Sequence, residues 1–469
     1  MNGKHKSLIK DTVIFAIGSL GSKIILFFLV PLYTNYLTTA EYGIAEMVTT
    51  FSQLIIPLSA VVINQALIRF GMKSTERPED VAKVSFVVLA FSIIITILIT
   101  PIIGLYQPVS EWKWYLAIYV IESNFTEVGK SYLKVKNRNK LFAIISILQT
   151  IVLAVMNIIM LTVLNTGVKG YLIANIIAVG FSAIVSFFYA GLHNDLRKGK
   201  YDAVLLKQML QYSFPLIFSN VSWWVIHSSD RIMVEWMIGA SVLGIYTVAA
   251  KIPSLINVMI GVFNQAWALS SIHEIELTND RHFYRSVFML FSTVVFGASI
   301  LFTSLIKPFM QIYVGKDFVD AWIYTPLLLS AAVFFSISAF IGTLYAALLK
   351  TINDMWTTVL CAIINVVVNF FGIKVVGVWG AIIGTVTAYF VIAIIRLFDV
   401  KRYMNFEVDK RRYFINAEIM LLQAILVSLD WHIAIVSVAA IGIFVFVNKN
   451  EIKQFGHLSR QMLVKHERR

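Results

Sequence analysis

Charge is scarce in this chain: 14% of its 469 residues are Asp, Glu, Lys or Arg, where a soluble globular domain carries about 25%. Acid is scarcer than base, with 26 Asp and Glu against 39 Lys and Arg, a formal net charge of +13. Cysteine occurs once, at Cys361, which excludes an internal disulfide and a zinc site of the usual spacing. In its apolar run the thiol reads as a small packed side chain. Long polar connections are missing too. No segment between apolar runs exceeds about 17 residues, so there is no soluble domain in which chemistry could reside. No metal or cofactor is expected.

What fills the chain is apolar sequence, 58% of all residues. It recurs in blocks of about 18 residues or more, the length that crosses a hydrocarbon core of about 30 Å. A membrane β-barrel would show alternating segments of about ten residues instead. The fold class is therefore an all-α polytopic membrane protein. Fourteen spans are predicted, near 12–35, 43–68, 83–104, 114–133, 141–164, 170–192, 210–237, 243–270, 286–306, 323–349, 355–373, 378–395, 413–429 and 433–447. The first run, Thr12 to Tyr33, follows the basic "MNGKHKSLIKD" and is too long for a signal-peptide core, so it reads as a retained helix.

The connections sort by charge. With the N-terminus inside, the inner segments hold 30 Lys and Arg and the outer loops hold five, Lys113, Lys169, Lys307, Lys316 and Lys374. This asymmetry predicts that both termini are cytoplasmic and that the spans are even in number. The basic excess is thus an orientation signal that also attracts anionic inner-leaflet lipid, and nucleic acid is not an expected partner.

An internal repeat is legible. "NQALIRF" begins at Asn64 and "NQAWALS" at Asn264; each lies late in a span that opens with a glycine, Gly43 or Gly244, and carries a proline, Pro57 or Pro253. "GVKGYLIA" at Gly167 and "GVWGAIIG" at Gly377 follow spans bearing Asn157 and Asn369. The offsets map span 2 onto 8 and spans 5–6 onto 11–12, so two six-helix lobes in parallel repeat are predicted, a transporter-like plan. The expected division is 1–195, 196–400 and a C-terminal pair of helices with a basic tail over 401–469. Gly170, Gly180, Gly380 and Gly384 permit close helix approach.

Four basic residues remain inside spans: Lys23, Lys130, Arg231 and Lys251. Lys130 is near an inner helix end, where its ammonium can snorkel to water. Lys23 and Lys251 fall near mid-bilayer depth, where a charge costs at least about 2.5–3.5 kcal/mol unless it faces water or a partner. Each reads either as a cavity cation or as one half of a pair with Glu46, Glu122 or Glu127. Those three carboxylates are also candidates for ion coupling. Arg231 has Glu235 four residues on, which predicts either a self-neutralised cluster or a guanidinium held by Asp230 and Glu235 for an anion such as phosphate. Trp224, Asn64, Asn264 and Gln265 belong to an aromatic and amide-rich set of the kind that binds sugar, or that packs between helices.

Taken together, "FFLVPLYTNYLTTAEYGIAEMVTTF", the "NQALIRF" turn, "SSDRIMVEWMIGASVLGIYTVAAKIPSLI" and "IINVVVNF" with "GVWGAIIGT" resemble the polysaccharide flippases, Wzx-type members of the multidrug/oligosaccharidyl-lipid/polysaccharide exporter superfamily. The resemblance covers residues 5–400 and the fourteen-span count. It implies a bacterial inner-membrane protein with a central cationic cavity, moving an undecaprenyl-diphosphate-linked oligosaccharide between leaflets by alternating access. It further implies membrane lipids and a glycan polymerase as partners, and Lys23, Arg231 and Lys251 as the cavity cations. Lipid II flippases place several arginines in the first lobe; here only Lys23 is buried there, which disfavours lipid II as cargo. A multidrug cation exporter of the same fold is the nearest alternative, and a membrane-embedded glycan polymerase or ligase the enzymatic one. The longest outer loop, Lys307 to Trp322, is short and lacks histidine, so an enzyme is not expected.

Overall fold

A computed structural model describes residues 21–72, 76–277, 281–348, 350–403 and 409–453. Among the described residues, helices occupy part of each of the fourteen stretches expected from hydropathy, and no strand occurs. In chain order these are α1 (21–36), α2 (Thr39–Ser59), α3 (Ile63–Gly71), α4 (Pro78–Ile103), the short α5 (Gln107–Ser110), α6 (Lys113–Val135), α7 (Asn139–Ile158) and α8 (Gly167–Tyr189). There follow α9 (Leu192–Lys198), α10 (Ala203–Met237), α11 (Ala240–Leu277), α12 (Arg281–Tyr313), α13 (Ala321–Ala347), α14 (Thr351–Val376), α15 (Val378–Asp399), α16 (Lys410–Ser428) and α17 (Ile433–Val447). Eight of the described helices are long and apolar enough to cross a membrane, nine if the bent pair α2–α3 is one span. The others are set apart by their sequence: α6, α10 and α16 carry several charges, α17 has only 15 residues, and α1 is described from residue 21.

Local sequence sets the helix starts. Thr38 and Glu41 form a reciprocal capping box at α2, Pro78 opens α4 with Glu79 and Asp80 in its first turn, and Asp202 accepts from the N–H groups of Val204 and Leu205 at α10. Within the spans, hydroxyls turn back on their own helix: Ser85, Thr96 and Thr100 each donate to the carbonyl four residues earlier, at 2.7–2.8 Å. A hydroxyl can thus reside in an apolar span with no partner from another helix. Elsewhere the surface is apolar. On α14, Ile352, Met355, Trp356, Val359, Ile363, Val367 and Phe371 form an exposed stripe at helical spacing, a face suited to acyl chains. The chain is a multi-pass α-helical membrane protein.

Two compact units divide the chain, residues 1–244 and 245–469. In the first, α10 packs along α2 and α3, while α6 packs on α8 and α4. Close approaches follow the small residues. A methyl group at Gly180 would press on Glu122, and one at Gly129 would be driven into the Ser186 hydroxyl. The second unit is built around α13 and α15, with α14, α12 and α16 against them. There Gly380 meets the backbone of Gly372, and Gly384 meets Asn369. Its core holds a stack of rings: Trp267 and Phe340 have centroids 4.8 Å apart, and Phe291 lies 5.1 Å from Phe340 and 4.8 Å from Phe263.

Span 2 departs from a straight helix. Between α2 and α3, Val61 and Val62 both have φ of 52°, and the two segments bend by 48°. A left-handed conformation is rare for a β-branched residue and costs about 1–2 kcal/mol each. Val61 lies four residues beyond Pro57, whose ring removes one helix hydrogen bond.

Candidate functional site

The charged stretch of α10 turns toward α2. Arg231 Nη1 donates to Glu46 Oε1 at 2.5 Å, an ion pair spanning 185 positions of sequence. The Glu46 side chain is 7% exposed and that of Arg231 23%. This corrects the expectation from helical spacing. Glu235, four residues from Arg231, forms no ion pair with it; it is buried, and its Oε2 has no hydrogen-bond partner among the described residues. The i,i+4 rule describes what two side chains on an isolated helix can reach, and here a carboxylate on another helix lies closer. Asp230 accepts the backbone N–H of Arg231 at 2.8 Å, and one turn and a half earlier Trp224 Nε1 donates to the Thr50 carbonyl at 2.8 Å. The indole N–H of Trp224 therefore serves to tie α10 to α2.

Toward the N-terminal end of α2 the approach is closer still. A methyl group on Gly43 would be driven into the carbonyl oxygen of Ala240, and one on Gly244 into the carbonyl oxygen of Thr39. The Thr39 and Ser241 hydroxyls hydrogen-bond at 2.6 Å. The first turns of α2 and α11 thus meet reciprocally: each contributes a glycine to the backbone four residues ahead of the other's glycine.

Below the Val61–Val62 break, α2, α3 and α6 enclose a cavity of about 370 Å³, completed by single residues of α7, α8 and α10. Its wall includes Gln53, Asn64, Gln65, Tyr119, Glu127 and Lys130, with Gln149 and Asn220. Asn64 Nδ2 reaches Glu127 Oε2 at 3.4 Å, and Lys130 Nζ donates to Gln149 Oε1 at 2.7 Å. Lys130 is therefore engaged with an amide at this cavity, where sequence position alone suggested snorkelling. From this wall the sequence nominated Asn64, Glu127 and Lys130, each for a different reason, and Asn220 as one of the amides on its span; Gln53 and Gln149 carried no signal.

The remaining candidates are dispersed. Lys23 is exposed on α1 and has no ion pair among the described residues. Lys251 is half-buried on α11, in the second unit. Asn264 is half-buried, its amide oxygen has no hydrogen-bond partner among the described residues, and the side chain of Gln265 lies outside them. Glu122 faces Gly180, and its Oε2 has no hydrogen-bond partner among the described residues. No cluster of three His, Cys, Asp or Glu side chains able to hold a metal occurs among the described residues.

Two polar knots were not legible as sites. In the first unit, Tyr132 Oη donates to Asp195 Oδ2 at 2.7 Å, and Lys136 bridges Asp195 at 2.9 Å and Glu79 at 3.6 Å. Burial pushes the Asp195 carboxyl up, but the hydrogen bonds from Lys136 and Tyr132 outweigh it and hold the group below its ordinary value. In the second unit, Tyr345 Oη donates to Asp399 Oδ2 at 2.8 Å. One turn away the buried Arg396 pairs with Asp354 at 2.7 Å and donates to Thr357 Oγ1, Thr358 Oγ1 and the Ser338 carbonyl. Arg396 reads in the sequence as the start of an inner loop; it is instead a fully engaged guanidinium in the last turn of α15.

Comparison with known proteins places this geometry in context. The chain is 24% identical over 263 residues to the Lsg locus putative protein 1 of Haemophilus influenzae, and 26% identical over 266 residues to an uncharacterized membrane protein of the same organism. Each alignment covers 55% of this chain and 64% of the relative, so the match spans less than two thirds of either relative. Among solved structures, the fold is similar to that of the lipid II flippase MurJ in an inward closed conformation, with a TM-score of 0.70 at 16% identity, covering 94% of this chain and all of that one. It is also similar to an inward-facing multidrug resistance MATE family transporter of the MOP superfamily, with a TM-score of 0.64 at 17% identity over 83% of this chain and 94% of that one. The model of the polysaccharide biosynthesis protein family matches residues 8–269, more than half of the sequence, and the chain belongs to that family.

Proposed function

We propose that this protein is a flippase that carries an undecaprenyl-diphosphate-linked oligosaccharide across the bacterial cytoplasmic membrane for cell-surface polysaccharide synthesis. The observation that carries the reading is a polar cavity lined by α2, α3 and α6 in a member of the polysaccharide biosynthesis family. A diphosphate bearing a sugar chain cannot enter bare hydrocarbon, because an unpaired charge there costs several kcal/mol or more. A hydrated path lined by cations lowers that barrier while the lipid tail remains among acyl chains. Lys23, Arg231 and Lys251 are the proposed cationic contacts. In the state described, Glu46 holds Arg231; an arriving diphosphate would compete for the guanidinium, which recognises phosphate through paired N–H donors. Membrane lipids and a glycan polymerase are the proposed partners, with both termini in the cytoplasm.

Purified protein in proteoliposomes should move a fluorescent undecaprenyl-diphosphate glycan from one leaflet to the other. Lys23→Gln with Lys251→Gln should abolish transfer while leaving the protein folded in the membrane. Undiminished transfer by the double variant would remove these lysines from the pathway, and no transfer by the wild type would defeat the reading. One observation favours the multidrug alternative: Glu127, an acid, lines the cavity. Efflux of a cationic dye, with no lipid transfer, would establish that reading in its place.

A further inference from the structure

The cavity of the first unit presents hydrogen-bonding groups that the protein itself does not use. Gln53 and Gln65 are exposed, line the cavity and make no side-chain hydrogen bond among the described residues. Asn64 and Asn220 each use the amide nitrogen, toward Glu127 and the Leu216 carbonyl, and leave the amide oxygen open. Gln149 receives Lys130 on its oxygen and leaves its amide nitrogen open. The backbone adds a donor: Val62 lines the cavity, and its N–H finds no acceptor among the described residues because the left-handed turn carries it out of the helix. Donors and acceptors are interspersed.

Charge narrows the ligand. Glu127 and Lys130 are the charged residues of the wall, and their signs cancel. A diphosphate placed here would confront the Glu127 carboxylate, and an organic cation would confront the Lys130 ammonium. A neutral polyol meets neither penalty and can both donate to Glu127 and accept from Lys130. Tyr119 supplies the one ring in the wall, a surface for the apolar face of a pyranose. The volume, about 370 Å³, falls inside the range of about 300–1,000 Å³ for small-ligand sites. The second unit contrasts with this: there Trp267, Phe291 and Phe340 are buried and stacked, and Phe263 stacks on Phe291.

We propose that the first-unit cavity is the subsite for an uncharged sugar residue of the cargo glycan, with Gln53 and Gln65 as its specificity-determining side chains. The identification of the sugar as part of a lipid-linked cargo rests on the flippase reading above. The division of labour is then chemical: the basic residues address the diphosphate, and the amide-lined cavity addresses the glycan.

The test uses the full-length protein in nanodiscs and saturation-transfer NMR. The probes are the methyl glycosides of a neutral hexose and of an N-acetylhexosamine, with pyrophosphate and tetraethylammonium as charged competitors. At least one neutral glycoside should receive saturation, and neither competitor should displace it. Gln53→Ala combined with Gln65→Ala removes two exposed amides, with the fold checked by thermal stability. Loss of two hydrogen bonds should weaken the glycoside about tenfold or more. Absence of transfer to both glycosides, displacement by tetraethylammonium, or equal binding by the double variant overturns the proposal. Proteoliposomes separate it from the flippase reading. Offered bare and glycosylated undecaprenyl diphosphate, the double variant should keep its rate on the bare lipid and lose the advantage of the glycosylated one. A wild type that moves neither lipid defeats the flippase reading, while glycoside binding in the NMR experiment would still stand.

Discussion

The hydroxyls of Thr39 and Ser241 lie 2.6 Å apart, beside the reciprocal seating of Gly43 on Ala240 and of Gly244 on Thr39. On the proposed flippase reading, contacts at the ends of helices part and re-form in each cycle, and this one is formed in the structure. Thr39→Cys with Ser241→Cys should form a disulfide under mild oxidation, since the two side-chain ends meet at 2.6 Å. The native thiol, Cys361, is buried in the second unit and is removed by Cys361→Ala. Cross-linked protein should lose lipid transfer, and reductant should restore it. Full transfer by the oxidised protein would show that this contact stays shut throughout the cycle.

The two glycines make the opposite prediction. Alanine at Gly43 or Gly244 cannot be seated without moving a backbone carbonyl, and overpacking of this kind costs about 1–3 kcal/mol. That penalty falls only on the state in which the helix ends touch. Either Gly→Ala variant should therefore shift the population away from closure, about fivefold or more. Labelling of a cysteine at Thr39 by a water-soluble maleimide should accelerate accordingly. An unchanged labelling rate would mean that the helix ends adjust locally.

Glu46 and Arg231 are amenable to a double-mutant cycle. Glu46→Gln removes the carboxylate to which Arg231 donates, and Arg231→Gln removes the guanidinium from which Glu46 accepts. Breaking such a pair from one side costs about 3 kcal/mol, at the low end of the range for buried pairs because Arg231 retains some exposure. The double variant, with both charges gone, should be more stable than either single variant in thermal denaturation of the purified protein. Additive losses would show that the two charges act independently.

How far the sequence led can be judged from these same residues. The spans were readable because lipid imposes a single rule along the chain; the last helix, Ile433–Val447, coincides with its expected span. The glycines at Gly180, Gly380 and Gly384 were readable because a missing side chain in an apolar run has few other uses. The partner of Arg231 was not. Glu46 lies on another helix, and periodicity within α10 can nominate only Glu235. The break at Val61 and Val62 was hidden because two valines extend the hydropathic run. Arg396 was misassigned because a cation at the end of a span looks the same whether it faces water or Asp354.

The left-handed valines give a stability prediction of unusual sign. Glycine adopts positive φ without a Cβ clash, so Val62→Gly should relieve part of the strain in the state described here, about 1 kcal/mol before the loss of the buried side chain is counted. Val61 is only half-buried, so Val61→Gly should show the gain more cleanly and raise the thermal midpoint. Both replacements disfavour a straight span 2, since glycine costs a helix interior about 1 kcal/mol. If the cycle requires span 2 to straighten, Val61→Gly should slow transfer while stabilising the protein. A destabilised Val61→Gly would count against strain at this position.

Asp195 supplies a pH dependence whose direction is fixed by its partners. Lys136 and Tyr132 hold its carboxyl below the ordinary aspartate value of about 3.9. A carboxyl with a lowered value in the folded state binds protons less readily than it does when unfolded. Its stabilising contribution is therefore full above the ordinary value and is lost as pH falls through the ordinary value to the lowered one. The side chain is 14% exposed, so two charge-assisted hydrogen bonds should contribute about 1.5–3 kcal/mol at neutral pH. Asp195→Asn should accordingly lower the unfolding midpoint at pH 7, and the gap from wild type should close as pH drops below about 4. A gap that stays constant from pH 7 to pH 3 would mean that Asp195 acts through packing, with its charge contributing nothing.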